Sequence, residues 1–63
     1  MNRIKEYREK RGLTQEELGN TLGVGRAAVA QWERGVNAPK LKTLLKLANV
    51  FNCSIEDLLQ VKK

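Results

Sequence analysis

The chain has few side chains that could carry out catalysis or bind a metal ion, and many that could bind a polyanion. Its 63 residues include no histidine and a single cysteine, Cys53, which excludes an internal disulfide and zinc-ligand spacing. Twelve Lys and Arg against seven Asp and Glu give a formal net charge of +5, which favours a partner such as nucleic acid. One Tyr, one Phe and one Trp are too few for the stacking surface that binds single strands, so we expect duplex DNA.

The acidic residues offer no catalytic arrangement. They lie mostly at the starts of expected helices, where capping accounts for them, and a chain of 63 residues has little room for a substrate cavity. We therefore expect neither an enzyme nor a bound cofactor. No apolar run approaches the roughly 18 residues of a membrane span, and the N-terminus is charged where a signal peptide would be apolar. We expect a cytoplasmic, nucleoid-associated protein that does not contact a membrane.

Capping signals divide the chain into short helices. Thr14 and Glu17 form a capping box, and Ser54 with Asp57 forms a second one in which Asp replaces the preferred Glu or Gln. Glycines suited to the left-handed residue after a helix end follow the first three helices, at Gly12, Gly23 and Gly35. The expected helices span about 2–11, 15–22, 26–33, 41–51 and 55–61 of a single all-α domain, residues 1–63.

Two packing features follow from this division. Only three residues, 23–25, separate the second helix from the third, so these two helices must cross steeply. Gly19 lies within the second helix, where it costs roughly 1 kcal/mol relative to Ala. We infer that its missing side chain lets the third helix approach closely; the alternative is a glycine that is merely tolerated. The run 41–51 is the most apolar of the chain and is expected to be the central core element.

Several motifs, in this order and at these intervals, closely resemble the helix-turn-helix family of phage repressors, Cro proteins and xenobiotic-response-element (XRE) regulators. They are Thr14-Gln15-Glu16-Glu17-Leu18, Leu22-Gly23-Val24, Trp32-Glu33-Arg34-Gly35, Pro39 and Val50-Phe51-Asn52-Cys53-Ser54-Ile55. The resemblance covers about Ile4 to Leu59. It implies a compact five-helix, lambda-repressor-like domain whose second and third helices form the helix-turn-helix. The implied function is a transcriptional repressor that binds a palindromic operator in double-stranded DNA as a dimer.

The third helix is the recognition helix that the resemblance implies. At about 100° per residue, Val29 and Trp32 mark its inward side, which makes Trp32 a core residue rather than a stacking group. The residues on the opposite side are Ala27, Ala30, Gln31 and Arg34. Because Ala27, Ala28 and Ala30 carry no hydrogen-bonding groups, direct base reading must be sparse.

Three residues are expected to contact bases in the major groove. Arg26 lies in the first turn, the end that enters the groove in such proteins, and its guanidinium suits guanine O6 and N7. Gln31 suits adenine N6 and N7, and the Ala27 methyl suits a thymine methyl. For Arg26 the alternative is a phosphate clamp, and for Ala27 it is simple helix propensity.

Phosphate contacts are expected on both sides of this helix. Gln15 resembles the family residue that binds a phosphate at the start of the second helix, and the alternative is an idle surface amide. Gly25 stands where the family often has Ser or Thr and offers only its backbone. Lys40 and Lys42 would approach further phosphates, unless they belong to a merely solvated loop. Arg34 completes the expected set.

Two further residues are expected to have structural roles. Arg8 and Glu33 correspond to a charge pair that joins the first helix to the recognition helix in some family members. A second contact from Arg8 to DNA remains open. Cys53 precedes the Ser54 cap and is interpreted as a small buried hydrophobe rather than a redox switch.

A single small domain contacts too few base pairs for useful specificity. We therefore expect a homodimer, formed through the fifth helix and the tail, including Leu59 and Val61. A rival interpretation is an interaction module that binds a regulatory protein or a toxin. The chain is either a complete Cro-like regulator or the DNA-binding part of a larger repressor.

Overall fold

A computed structural model describes residues 3–59, which contain five α-helices and no β-strand. The helices are α1 (Ile4–Lys10), α2 (Gln15–Leu22), α3 (Arg26–Arg34), α4 (Leu41–Phe51) and α5 (Ile55–Leu59). The all-α, five-helix fold expected from the sequence is confirmed. Within the described range, no helix is long and apolar enough to cross a membrane.

Within the described residues, the first helix is shorter than the expected span 2–11, of which residue 2 lies outside the described residues. Arg3 has a non-helical backbone (φ −109°, ψ 20°), and its N–H donates to the carbonyl oxygen of Leu58 at 2.7 Å. At the other end, Gly12 adopts a left-handed conformation (φ 68°), which stops the helix one residue before Arg11. The third helix extends one residue further than expected, to Arg34. The last two residues of the expected fifth helix, 60 and 61, lie outside the described residues.

Both expected capping boxes are present. In α2 the Thr14 hydroxyl accepts from the Glu17 N–H at 3.0 Å, and the Glu17 carboxylate accepts from the Thr14 N–H at 2.8 Å. In α5 the Ser54 hydroxyl accepts from the Asp57 N–H at 3.0 Å, but the return bond to the Asp57 carboxylate is 3.4 Å long. The longer return bond follows from the shorter Asp side chain.

The hydrophobic core joins all five helices. Its buried side chains are Ile4, Leu18, Leu22, Val29, Trp32, Leu47, Phe51 and Leu58. The expectation that Trp32 is a core residue is confirmed, since only 6% of it is exposed. Half-buried residues pack around this cluster, and the Tyr7 ring stacks on the Phe51 ring with centroids 5.7 Å apart.

The apolar run of α4 is only partly in the core, which corrects the expectation for this helix. Leu47 and Phe51 are buried, whereas Leu41 is 67% and Leu45 is 55% exposed. Each pair is four residues apart and so shares one side of the helix, and the two sides differ. Leucines occur around most of this helix, and the side that carries Leu47 and Phe51 is covered, whereas the side that carries Leu41 and Leu45 is open.

Gly19 has a packing role, but the crowding comes from the turn rather than from α3 itself. A Cβ atom at Gly19 would lie 2.8 Å from the Val24 carbonyl oxygen and 3.3 Å from the Gly25 carbonyl group. These are backbone atoms that cannot rotate away. The Gly19 carbonyl also accepts from the Val24 N–H at 2.8 Å, so the turn closes tightly on α2. Gly19 therefore allows the tight turn that sets the orientation of α3 relative to α2.

Candidate nucleic-acid interface

The outer face of α3 carries the residues that were expected to face away from the core. Ala27, Gln31 and Arg34 are exposed, Ala30 is half-buried, and Val29 and Trp32 are buried on the other side. Arg26, in the first turn, is exposed as well. The helix starts at an exposed Gly25 with extended backbone (φ −79°, ψ 160°) and without a side-chain cap. Its first turn holds no acidic residue, so the positive end of the helix dipole is not neutralised locally. This face combines a cation and an amide with small apolar groups.

A largely buried ion pair connects α3 to α1. Arg8 donates from Nε to Glu33 Oε2 at 2.7 Å and from Nη2 to Glu33 Oε1 at 3.2 Å, a bidentate arrangement. The same guanidinium donates from Nη1 to the Leu13 carbonyl oxygen at 2.7 Å. Only 11% of the Arg8 side chain and 5% of the Glu33 side chain are exposed. The pair therefore ties α1 and the start of α2 to the last turn of α3.

Gln15 belongs to the same cluster. Its Nε2 donates to Glu33 Oε1 at 3.1 Å, and the residue is half-buried. Gln15 is thus not an idle surface amide, because Glu33 holds it at the start of α2. The Gln15 Nε2 carries two hydrogens, so one of them is left to bind a phosphate oxygen.

The hydrogen bonds to Glu33 raise the pKa of Arg8 above its ordinary value, although desolvation acts in the opposite direction. The guanidinium is therefore charged at neutral pH. Because it lies directly on the Glu33 carboxylate, the negative charge on α3 is compensated within the protein. Without this compensation, the carboxylate would repel a phosphate approaching the helix.

The segment after α3 returns along the outer face of the helix. Asn37 donates from Nδ2 to Gln31 Oε1 at 2.6 Å, and both residues are exposed. A groove of about 440 Å³ lies between α3 and the segment that leads into α4. Its lining includes Val24, Ala28, Gln31, Asn37, Pro39 and Lys40.

The start of α4 adds positive charge next to this groove. Lys40 precedes the helix with an extended backbone, and Lys42 lies in its first turn; both are exposed. The first turn of α4 contains no acidic residue. The expected phosphate contacts at Lys40, Lys42, Gly25 and Arg34 are thus sterically open and remain predictions.

Comparison with known proteins decides the family. A family model described as "Helix-turn-helix" matches residues 4–58 of the chain. The chain belongs to the helix-turn-helix family.

Several members of this family are similar over almost the whole chain. An uncharacterized HTH-type transcriptional regulator of Archaeoglobus fulgidus is 48% identical over 56 residues, which cover 89% of this chain and 80% of that protein. The transcriptional repressor RstR of the cryptic phage CTXphi from Vibrio cholerae is 39% identical over 57 residues, or 90% of this chain and 51% of RstR.

A solved structure extends the similarity to three dimensions. The P22 c2 repressor, crystallised with a synthetic operator, superposes with a TM-score of 0.86 at 38% identity, covering 92% of this chain and 88% of that one. The lambda-repressor-like fold expected from the sequence is therefore confirmed. This helix-turn-helix protein is a DNA-binding transcriptional regulator, and its family is not one of enzymes.

In this helix-turn-helix protein, Asn37 was missed by sequence reasoning. A lone Asn in a loop carries no periodic or capping signal, and it becomes informative only when its distance to Gln31 is known. Cys53 packs against the core but is half-buried rather than buried as expected, and desolvation raises the pKa of its thiol. The raised pKa disfavours the reactive thiolate form.

Proposed function

We propose that this protein is a sequence-specific transcriptional repressor that binds a palindromic operator as a dimer, with α3 in the major groove. The observation that carries the proposal is the outer face of α3, where Arg26 and Gln31 stand exposed beside small residues. Two of the similar proteins are repressors, and one of them was crystallised with operator DNA, which supports the same role here. Such a regulator acts where the DNA is, so a cytoplasmic, nucleoid-associated location is part of the proposal.

Base reading rests on three residues in this proposal. Arg26 donates to guanine O6 and N7, Gln31 pairs with adenine N6 and N7, and the Ala27 methyl packs on a thymine methyl. All three are exposed on α3, which supports a common ligand. Because two of the three side chains can form hydrogen bonds, only a few base positions per half-site should be strongly specified.

Phosphate contacts hold the helix in register. Gln15 and the Gly25 backbone flank the helix-turn-helix, and Arg34, Lys40 and Lys42 follow the strand on the far side of α3. The +5 net charge supports long-range attraction to DNA as well. Arg8 donates three hydrogen bonds to Glu33 and Leu13, which supports a structural role. A guanidinium has five N–H donors, so a second contact from Arg8 to a phosphate stays a prediction.

Dimerisation through α5 completes the proposal. Leu59 is half-buried in the described chain and so retains apolar surface, while Val61 lies outside the described residues. Two copies related by a two-fold axis would present two recognition helices about one DNA turn apart.

Selection of binding sites from random duplex DNA tests these points together. The expected result is an inverted repeat whose half-site centres lie about 10 base pairs apart. A selected motif without an inverted repeat would contradict the dimeric arrangement, and no enriched motif would contradict sequence-specific binding. A reporter with the selected site across its promoter should then be transcribed less when the protein is present, whereas increased transcription would indicate an activator.

A further inference from the structure

The loop after α3 is folded back onto the helix by two successive sets of hydrogen bonds. Gly35 adopts a left-handed conformation (φ 76°) and donates its N–H to the Trp32 carbonyl oxygen at 3.1 Å. The Val36 N–H donates to the Gln31 carbonyl oxygen at 3.0 Å, which completes a Schellman motif. The backbone of Gln31 is thus bound to the loop, and one residue further along, Asn37 binds its side chain.

We infer that Asn37 is a positioning residue for Gln31 and that it sharpens the base preference at the position that Gln31 reads. The inference rests on the proposed function, since it concerns the reading of bases by α3. Its basis is the 2.6 Å bond from Asn37 Nδ2 to Gln31 Oε1, formed on an exposed surface where Gln31 would otherwise be free to rotate.

The chemistry of a side-chain amide explains why positioning matters. The two ends of the amide have nearly the same shape, but one accepts hydrogen bonds and the other donates them. A freely rotating Gln31 could therefore present either end to a given base. In the bond that the structure shows, Asn37 Nδ2 donates to Gln31 Oε1, so the oxygen end of Gln31 lies towards the loop.

The Gln31 amide, when bound to Asn37, still has the acceptor and the donor that pair with adenine. Oε1 has a second lone pair, and both hydrogens of Nε2 remain available. Adenine presents a donor at N6 and an acceptor at N7, which match an oxygen and an N–H held side by side, whereas guanine presents two acceptors. A fixed amide should therefore select adenine over guanine more strongly than a rotating one.

The test compares affinities for the selected operator and for its variants with each other base at the Gln31 position. The Gln31 position is the operator position at which the Gln31→Ala protein no longer prefers one base over the others. Asn37→Ala should reduce the ratio of affinities for the preferred base over the others about threefold to tenfold, as expected for one lost hydrogen bond. In the Gln31→Ala background, Asn37→Ala should leave the ratio unchanged. Asn49→Ala, an exposed Asn late in α4, is the matched control and should change nothing.

A second variant reverses the polarity of the bond. Asn37→Asp can only accept, so it should bind Gln31 Nε2 and turn the amide around. The ratio should then fall at least as far as in Asn37→Ala. The added negative charge lowers affinity for every sequence alike and therefore cancels in the ratio.

Relaxation of the Gln31 side-chain ¹⁵N in the free protein gives a readout without DNA. Its motion should increase in Asn37→Ala and stay unchanged in Asn49→Ala; equal motion in the wild type and Asn37→Ala would overturn the inference. So would a uniform loss of affinity with a shallower salt dependence, because Asn37 would then bind a phosphate. If Gln31→Ala changes no base preference, the reading role in the proposed function is wrong as well. If Gln31→Ala changes the preference but neither Asn37 variant does, the inference alone is wrong.

Discussion

The two flanks of α3 hold their polar side chains in opposite environments. On the inner flank, the Glu33 carboxylate is 5% exposed and receives hydrogen bonds from Arg8 and Gln15. On the outer flank, Gln31 is exposed and receives one hydrogen bond from Asn37. The Arg8 and Glu33 side chains of the inner flank are charged and largely buried, whereas Gln31 and Asn37 on the outer flank are neutral and exposed to solvent.

This difference separates the two tasks of a recognition helix. A buried charge becomes costly as soon as its partner is removed, so the inner set controls folding and the direction in which α3 lies. Exposed neutral groups exchange easily with water and contribute little to stability, but they are free to meet a base edge. We therefore expect mutations on the inner flank to change the free energy of unfolding, and mutations on the outer flank to change the DNA sequence that is preferred.

The largest expected effect is that of Glu33→Ala on stability. It leaves the Arg8 guanidinium without its carboxylate and should lower the free energy of unfolding by about 3 kcal/mol. This is the lower end of the range for buried pairs, because 11% of the Arg8 side chain still reaches water. Chemical denaturation followed by circular dichroism measures the loss.

Glu6→Ala is the matched control for this variant. Glu6 also binds an arginine in a bidentate way, with Arg3 Nε at 2.7 Å and Nη2 at 3.1 Å, but 47% of its side chain is exposed. Its removal should cost far less than that of Glu33, because water replaces the lost partner. Equal losses for the two variants would contradict the assignment of the inner flank to stability.

The next effect concerns the exposed first turn of α3, where Arg26→Ala should change specificity. If Arg26 reads guanine, its removal should cost about 1–3 kcal/mol on the preferred operator and relax the preference at one base position. The free energy of unfolding should hardly change, because Arg26 is exposed. Competition binding with operators altered at single positions measures the preference. A uniform loss on every sequence would instead make Arg26 a phosphate clamp.

The helix boundaries and the inward side of α3 could be predicted from the sequence, because capping motifs and apolar spacing are local features. The Thr14–Glu17 capping box and the spacing of Val29 and Trp32 fix where the two helices start and which way α3 faces. The exposure of Leu41 and Leu45 could not be predicted in the same way, since leucines occur around most of α4 and only packing decides which are covered. The role of Asn37 was also hidden, because it depends on how the loop folds back after Gly35.

The smallest expected effect lies beyond both flanks, at the start of α4. Lys40 is exposed in front of the first turn of that helix, so Lys40→Ala should leave stability and base preference unchanged and weaken binding to all sequences alike. If Lys40 contacts one phosphate, the slope of log K against log salt should become shallower by about one, because one fewer counterion is released. Titrations between low and moderate salt, on the operator and on unrelated duplex DNA, measure this slope. Lys46→Ala is the control, since Lys46 is an exposed lysine of α4 outside the proposed interface and removes the same charge from the protein. If both variants shift the slope equally, the effect comes from net charge, and the interface of this protein ends at α3 rather than at α4.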